Sequence, residues 1–502
     1  MAFIDALFLC YYSQVFFKNY RLNECNMENY LRKVVIEGLF ETENNYTIDF
    51  IEGANCIYGD NGTGKTSIIN LIVSCLSCDV AKLRALPFDS VILYTAKSGQ
   101  VRAKKFLQVN KKKPTIIDNK LELGYIKIQI ANDPDPIEIP FHGGTVMPGL
   151  WDETENTLSA KIDNFKEKVS SEITLTHVPL LRMHDSEIFS ESGSDEYLQM
   201  ALRKKRVHHK QIAEIMDPSF RVISSIQSQF IDEVNSRRKK ITVSLESLKS
   251  RIIEKVMIDQ KLITQSKKAL LSVSKVMNSQ DNTVDGNSYF KKLKDANIDV
   301  PEDKVKEHFQ LWSDLGAKCR AEYNELSGFK PSNNDKDREA LRKSQEKFNN
   351  TYMTLFSITN IYDRFLSIVE DVENMQNQKD QIWKIFTDYE NEVNSYFNDS
   401  KTFSLTEDGE FKISSKKRKI KLPDLSSGEK HIITILGRAT LSNANGAVFV
   451  ADEPELSLHL DWQRKILSSI KKLSPLSQII VATHSPAIFT RGINKINLED
   501  CK

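Results

Sequence analysis

Apolar and polar positions alternate over most of residues 28–150. YLRKVVIEGLF and YTIDFIEG read as two strands joined by a turn through Glu41 to Asn45. ANCIYG then runs into a glycine-rich loop, and KTSIINLIVSCL carries its apolar residues at helical spacing, so the order is strand, loop, helix. DSVILYT, YIKIQIA and PIEIPF add strands, Gly and Pro punctuate 139–149, and VPLL at 178–181 reads as another short core strand.

The period changes beyond residue 195. Ile241, Leu245, Leu248, Ile252 and Val256 stand three or four apart, followed by the polar break of Asp259 and then Ile263, which predicts an amphipathic helix or a short, imperfect coiled-coil seam. A second helix is expected from about Leu341 to Phe397, with Phe348, Leu355, Ile358, Phe365, Ile368, Val372, Met375, Ile382 and Ile385 as its stripe and neither Pro nor Gly inside. DNTVDGNSYF and SGFKPSNND read as loops between them. TFSLT, EFKIS and KIKLPDL restore the strand pattern, and the last stretch again alternates strands with short helices. The expected division is an N-terminal extension (1–27), an α/β half (28–194), a helical insertion (195–397) and a second α/β half (398–502). Such halves fold together, since neither is a whole domain.

Composition changes this picture little. Of 502 residues, 40% are hydrophobic and 27% charged, which excludes disorder and a disulfide-packed secreted scaffold. A formal net charge of +1 gives no bulk attraction to nucleic acid or membrane. No apolar run reaches the roughly 18 residues that a spanning helix needs, so no membrane partner is expected. The first 26 residues lack a basic leader and a small-residue cleavage site; they read as an accessory helix, or translation starts at Met27. Cys75 and Cys78 sit among apolar neighbours with no second pair, and read as core thiols of a cytoplasmic protein.

The chemistry concentrates in four short segments. Gly59-Asp60-Asn61-Gly62-Thr63-Gly64-Lys65-Thr66 fits G-x-x-x-x-G-K-[ST] between a strand and a helix: backbone N–H groups, continuing to Ser67, wrap phosphates, Lys65 reaches the β and γ oxygens, and the Thr66 hydroxyl binds Mg²⁺. Ala447–Ala451 is a buried strand ending in Asp452, placed to hold Mg²⁺, and Glu453, placed to orient or deprotonate a water. His484 ends the next strand, within reach of the γ-phosphate or the attacking water. Ser426-Ser427-Gly428-Glu429 before an apolar helix is either a helix cap or a second oxyanion cradle. Two cradles for one ATP are explained if each nucleotide lies between two subunits.

In this order, the phosphate loop, LSSGEKH, VFVADEPELSLH and VATHSP resemble an ATP-binding-cassette ATPase of the soluble SMC and RecF kind, over roughly 28–190 and 400–490. The resemblance implies an α/β P-loop NTPase fold split by a helical insertion, with ATP and Mg²⁺ sandwiched in a dimer. It also implies that Glu453, His484 and Lys65 are catalytic, that Ser427 and Gly428 close the opposite site, and that Leu456–His459 form the D-loop. Arg182 resembles a basic residue near the nucleotide, and no distinctive Q-loop glutamine stands out in 80–190.

No nuclease motif accompanies this ATPase, so a separate effector is expected. The chain is most similar to the ATPase subunits of bacterial antiphage systems. In PARIS the ATPase restrains a Toprim nuclease until a phage anti-restriction protein is sensed; in Septu, the second choice, the partner is an HNH nuclease. An assembly larger than a dimer, such as a trimer of dimers, is implied by the PARIS resemblance. The rival reading is a RecF-like DNA-repair clamp, to which the basic runs Lys111–Lys113, Arg203–Arg206, Arg237–Lys240 and Lys416–Lys419 would contribute phosphate contacts.

Overall fold

The computed structural model describes residues 29–178 (except 42, 118–119, 132, 143–144 and 147–154), 218–256, 286–295, 298–329, 335–397, 401–415, 418–443, 447–489 and 492–502. The expected N-terminal helix, Arg182, the 195–217 stretch and Arg203–Arg206 lie outside these residues.

The chain begins with β1 (Asn29–Glu37), β2 (Tyr46–Asp49) and β3 (Ala54–Tyr58), then α1 (Lys65–Ser77) and the short α2 (Val80–Ala85). Next come β4 (Ser90–Lys97), β5 (Lys104–Lys112), a small hairpin of β6 (Thr115–Ile117) and β7 (Lys120–Glu122), then β8 (Gly124–Ile130), β9 (Ile137–His142) and β10 (Thr145–Val146). Seven of these form an antiparallel sheet in the order β10-β9-β8-β5-β4-β1-β2. After α3 (Glu155–Glu172) comes β11 (Leu175–Val178), which meets the expected VPLL strand at Val178; the rest of VPLL lies outside the described residues.

Among the described residues four helices follow: α4 (Pro218–Val256), α5 (Gly286–Asp295), α6 (Glu302–Ser327) and the sixty-residue α7 (Asp335–Asn394). A meander of β12 (Thr402–Leu405), β13 (Phe411–Ser415) and β14 (Arg418–Ile420) leads to α8 (Ser427–Asn443), β15 (Val448–Asp452), α9 (Leu460–Leu473), β16 (Gln478–Ala482) and β17 (Asn494–Asn497). KIKLPDL gives only a three-residue strand, because Pro423 opens a 3₁₀ turn.

The chain forms two compact units. The first joins both ends of the chain, up to Asp232 and from Ile385 onward. Its second sheet is parallel, β11-β15-β16-β3-β17, so β3 of the N-terminal half lies between strands of the C-terminal half. That interleaving is the joint folding the pattern implied. One apolar cluster holds residues of both sheets together with Ile68, Leu71, Ile72 and Cys75 of α1. A helix apolar on almost every side has to be buried this way, which explains why Cys75 and Cys78 are core thiols: burial pushes the Cys75 thiol well up and that of Cys78 up to about 12. Gln478 joins the sheets: its amide accepts from Leu31 N (2.9 Å) and donates to Leu31 O and Ile51 O (2.8 Å each), beside the bulge between Leu31 and Lys33.

The first unit also contains the lower ends of α4 and α7. Phe230, Phe386, Tyr389, Phe403 and Phe411 form an aromatic cluster there, with Phe230 and Tyr389 stacked at 4.7 Å between centroids. The Tyr389 hydroxyl donates to Ile433 O of α8 (2.9 Å), and a Cβ on Gly437 of α8 would come within 2.9 Å of Ile226. Only glycine permits that approach.

The second unit is Glu233–Lys384, and the regular structure among its described residues is helical. Leu248 of α4 packs with Val372 and Met375 of α7, and Lys255 is held by Asp371 at 2.6 Å. The expected stripe is narrower than read, since Leu245 is exposed. Two parts of this unit depart from the sequence pattern. GNSYF opens α5 instead of a loop, and α6 adds a third long helix. Both are stabilised by one cluster: Leu293, Val305, Phe309, Trp312 and Cys319 against Leu355 and Val369 of α7. Among the described residues no helix is long and apolar enough to cross a membrane.

Candidate functional site

The parallel sheet places the expected chemistry at the carboxyl ends of neighbouring strands, where open α/β sheets hold ligands. β3 ends at Tyr58 and delivers the 59–64 loop; β15 ends at Asp452; β16 ends at Ala482, just before Thr483 and His484.

Gly62 and Gly64 have φ of 83° and 92°, which a side chain would resist, so the loop turns back on itself and starts α1 at Lys65. That helix start has no side-chain cap and no acidic residue in its first turn, leaving its N–H donors to an anion. The Lys65 ammonium, almost buried, donates to Gly59 O (2.9 Å) and Asp60 O (2.8 Å). Burial lowers its pKa, while Glu453, Asp452 and Asp60 pull it back up. A phosphate entering the loop would exchange two neutral carbonyls for a charged acceptor.

Asp452 is 4% exposed, accepts a hydrogen bond from the Thr66 hydroxyl, and has an Oδ1 with no partner. Burial first, then Glu453 and Glu455, raise its pKa to about 6 against the opposing Thr66 bond and Lys65 charge. A buried carboxylate oxygen without a partner beside a hydroxyl is a fitting donor set for a hard divalent cation, which would also supply the missing charge compensation. Glu453 follows at φ 46°, held by its N–H to Ala482 O (2.8 Å), and its Oε1 lies 3.7 Å from His484 Nε2. The structure therefore brings Lys65, Thr66, Asp452, Glu453 and His484 together.

At the start of α8, Ser426 and Glu429 form a reciprocal capping box: Ser426 N donates to Glu429 Oε2 (2.9 Å) and Glu429 N to Ser426 Oγ (3.3 Å). Glu429 is also paired with Lys401 at 2.7 Å, which together with the cap holds its pKa down despite burial. Both side chains are thus occupied within the protomer. Of the other two residues of the motif, Gly428 is tight against the 456–459 segment: a Cβ there would lie 3.0 Å from Ser457 O.

Sequence reading missed two residues of this site. Glu455 is buried, and its Oε1 accepts from the Thr483 hydroxyl, from His484 N (3.2 Å) and from Ser485 N (3.2 Å). It clamps the turn that presents His484 to the turn that presents Glu453. The second acidic residue of DEPE was its available signal. Phe40, at φ 67° and 50% exposed, has its ring 3.1 Å from where a Cβ on Gly64 would stand. An exposed aromatic face beside a phosphate loop can stack a purine. No periodicity singles out one aromatic residue in a turn.

The basic runs fare differently. Lys111 is half-buried and caps α2 through the carbonyls of Leu83, Arg84 and Leu86 (2.6–3.3 Å), with its pKa lowered by burial to about 8; it is not available to phosphates. Arg237 is held by Glu233 (2.7 Å) and Ile382 O (2.7 Å). Lys416 and Lys417 lie outside the described residues.

A family model described as AAA ATPase domain matches residues 30–489. Among solved structures, the chain is similar to an Smc head domain with an extended coiled coil bound to the C-terminal domain of ScpA from Pyrococcus furiosus. The identity is 14%, covering 92% of this chain and 91% of that one, at a TM-score of 0.34. A second is an Smc head domain with a coiled coil and joint from Pyrococcus yayanosii: 15% identity, 92% and 93% coverage, TM-score 0.31. A third is an Smc head bound to the C-winged helix domain of ScpA: 11% identity, 91% of each chain, TM-score 0.33. No curated protein matches the sequence.

Proposed function

Because this chain belongs to the AAA ATPase domain family, we propose that it is an ATP-driven regulator: two copies close over ATP and Mg²⁺, and closure controls a separate nuclease subunit of the Toprim class in a cytoplasmic antiphage system of the PARIS kind. The observation that carries the nucleotide part is the set of unmet groups at one end of the parallel sheet. These are the uncapped start of α1, the Lys65 ammonium on two neutral carbonyls, and the lone Asp452 Oδ1. Each is what a triphosphate with its divalent ion would satisfy.

In this reading Lys65 moves from Gly59 O and Asp60 O onto the β and γ oxygens, while Thr66 and Asp452 hold Mg²⁺. That ion, when bound, neutralises charge on the bridging phosphates. Glu453 takes the proton of the attacking water, and His484 keeps that water and the γ-phosphate aligned. Ser427 and Gly428 of a second copy close the γ-phosphate side, leaving the Ser426–Glu429 cap to hold their helix in place. Closure has a route towards the helices, because α8 carries the motif at its start and touches Ile226, Phe230 and Tyr389 along its length. ATP shifts the helical region only through its different affinities for the open and closed states. A phage trigger protein acts in the same way, on a nuclease-holding assembly larger than a dimer.

The test is phage plating with this gene alone, an adjacent Toprim nuclease gene alone, and both together. Protection should need both genes and disappear with Lys65→Ala or Glu453→Gln. Protection by this chain alone, or protection surviving Lys65→Ala, would defeat the proposal.

A further inference from the structure

We infer that a basic groove on the antiparallel sheet, sharing no residue with the nucleotide site, is a docking surface for an acidic protein partner. The groove encloses about 1140 Å³ between the ends of β4 and β5, the start of β1 and the end of α3. Lys97, Arg102 and Lys104 line it and are exposed, and their side chains make no ion pair or hydrogen bond among the described residues. Lys105 is bonded only to the neutral amide of Gln108 at 2.5 Å. The two carboxylates of the lining are already engaged: Asp133 with Lys168 (2.6 Å) and Glu172 with Asn29 (2.9 Å). The strand register brings the charges together, since Lys104 pairs with Thr95 and Lys105 with Tyr94, two and three residues before Lys97.

The 97–103 connection is fixed in place before any partner arrives. The Tyr30 hydroxyl donates to Gln100 O (2.7 Å), Gln100 N to Lys97 O (2.8 Å), and Glu52 accepts from Gly99 N (3.0 Å) and the Ser98 hydroxyl. Binding would therefore cost little loop ordering, the main entropic penalty of a loop-borne site. An anionic partner would supply the counter-charges that these side chains lack.

Three features favour a protein over a nucleic-acid backbone. A duplex presents a phosphate about every 1.7 Å and would have to run past the Asp133 and Glu172 carboxylates, whereas a protein can place its Asp and Glu side chains only opposite the cations. Val101, between Lys97 and Arg102 in sequence, is 73% exposed, an apolar contact suited to a protein surface. Among the groove's lining there is no exposed aromatic ring on which a base could stack.

The experiment uses the full chain and its Lys97→Glu/Arg102→Glu/Lys104→Glu variant, all exposed positions. Binding of fluorescent poly-L-glutamate and of a mixed-sequence DNA duplex is measured by anisotropy at one ionic strength. ATP binding, which the variant should retain, shows that the fold is intact. Poly-L-glutamate should bind the wild type and lose about ten-fold or more in affinity in the variant, as several screened ion pairs reverse sign together. No binding to the wild type, or equal binding to both proteins, overturns the inference. So does a wild type that prefers the duplex and a variant that loses it, which would make the groove a nucleic-acid site.

Discussion

Glu455 offers the sharpest test of how the site is held. Replacing it with Ala removes the acceptor of three donors: the Thr483 hydroxyl and the backbone N–H groups of His484 and Ser485. A hydrogen bond to a charged group contributes about 1.5–3 kcal/mol, so the gross loss of three is about 4.5–9 kcal/mol. Two effects reduce it. The carboxylate is itself buried and strained in its charged form, its pKa raised by burial against those three bonds, and its Oε2 has no partner. Ser485 is only half-buried, so water can reach its N–H. A net cost of about 2–3 kcal/mol remains, roughly 5–10 °C in the melting of the α/β unit. The larger effect should be on turnover, because His484 loses its fixed distance from Glu453 while the Lys65 loop is untouched. Glu455→Ala should then lower kcat for ATP hydrolysis about ten-fold or more with ATP affinity nearly kept. Glu455→Gln, whose amide oxygen can accept the same donors, should recover most of it. Calorimetry, thermal melts and steady-state phosphate release check each part. Hydrolysis unchanged in the Ala variant would refute the clamp, and a Gln variant as poor as Ala would mean that the charge, not the geometry, matters.

Lys65→Ala should weaken ATP binding itself, by about 2 kcal/mol or more, because a cation leaves a phosphate cradle that water barely enters; unaltered affinity by calorimetry would contradict this. Ser427→Arg should leave ATP binding to the monomer nearly intact yet block nucleotide-dependent dimerisation and hydrolysis, read by light scattering and phosphate release at matched concentration. Asp452 carries a pH signature: with its pKa raised to about 6, the folded protein holds a proton between about 4 and 6 that the unfolded chain has released. Its contribution to stability without Mg²⁺ therefore falls as pH rises through that window, while Mg²⁺ affinity grows as the proton leaves. Mg²⁺-dependent nucleotide binding should drop on going from pH 7 to pH 5, more steeply than in an Asp452→Asn variant.

Sequence alone determined the pieces whose physics is local. The Gly62 and Gly64 turn, the helix that starts at Lys65 and the apolar strand before Asp452 follow from spacing, because backbone sterics and nearest-neighbour hydrogen bonds decide them; the segment from Ser426 to Glu429 was open between a cap and an anion cradle until the reciprocal bonds of Ser426 and Glu429 showed the cap. The break of the parallel sheet by a helical segment was equally legible, as a change of period from two to between three and four. What only the tertiary structure decided depends on distant partners. Helix α5 exists because Leu293 packs with Val305 and Phe309, and Leu245 stays exposed because α7 covers only a narrow strip of α4. Gln478 looks like an ordinary polar start to a strand until its amide meets the bulge at Leu31. Lys111 belongs to a basic run in the sequence and to a helix cap in the fold. The role of Glu455 likewise appears only when β15 and β16 lie side by side, since a buried carboxylate takes its function from the donors that the fold places around it.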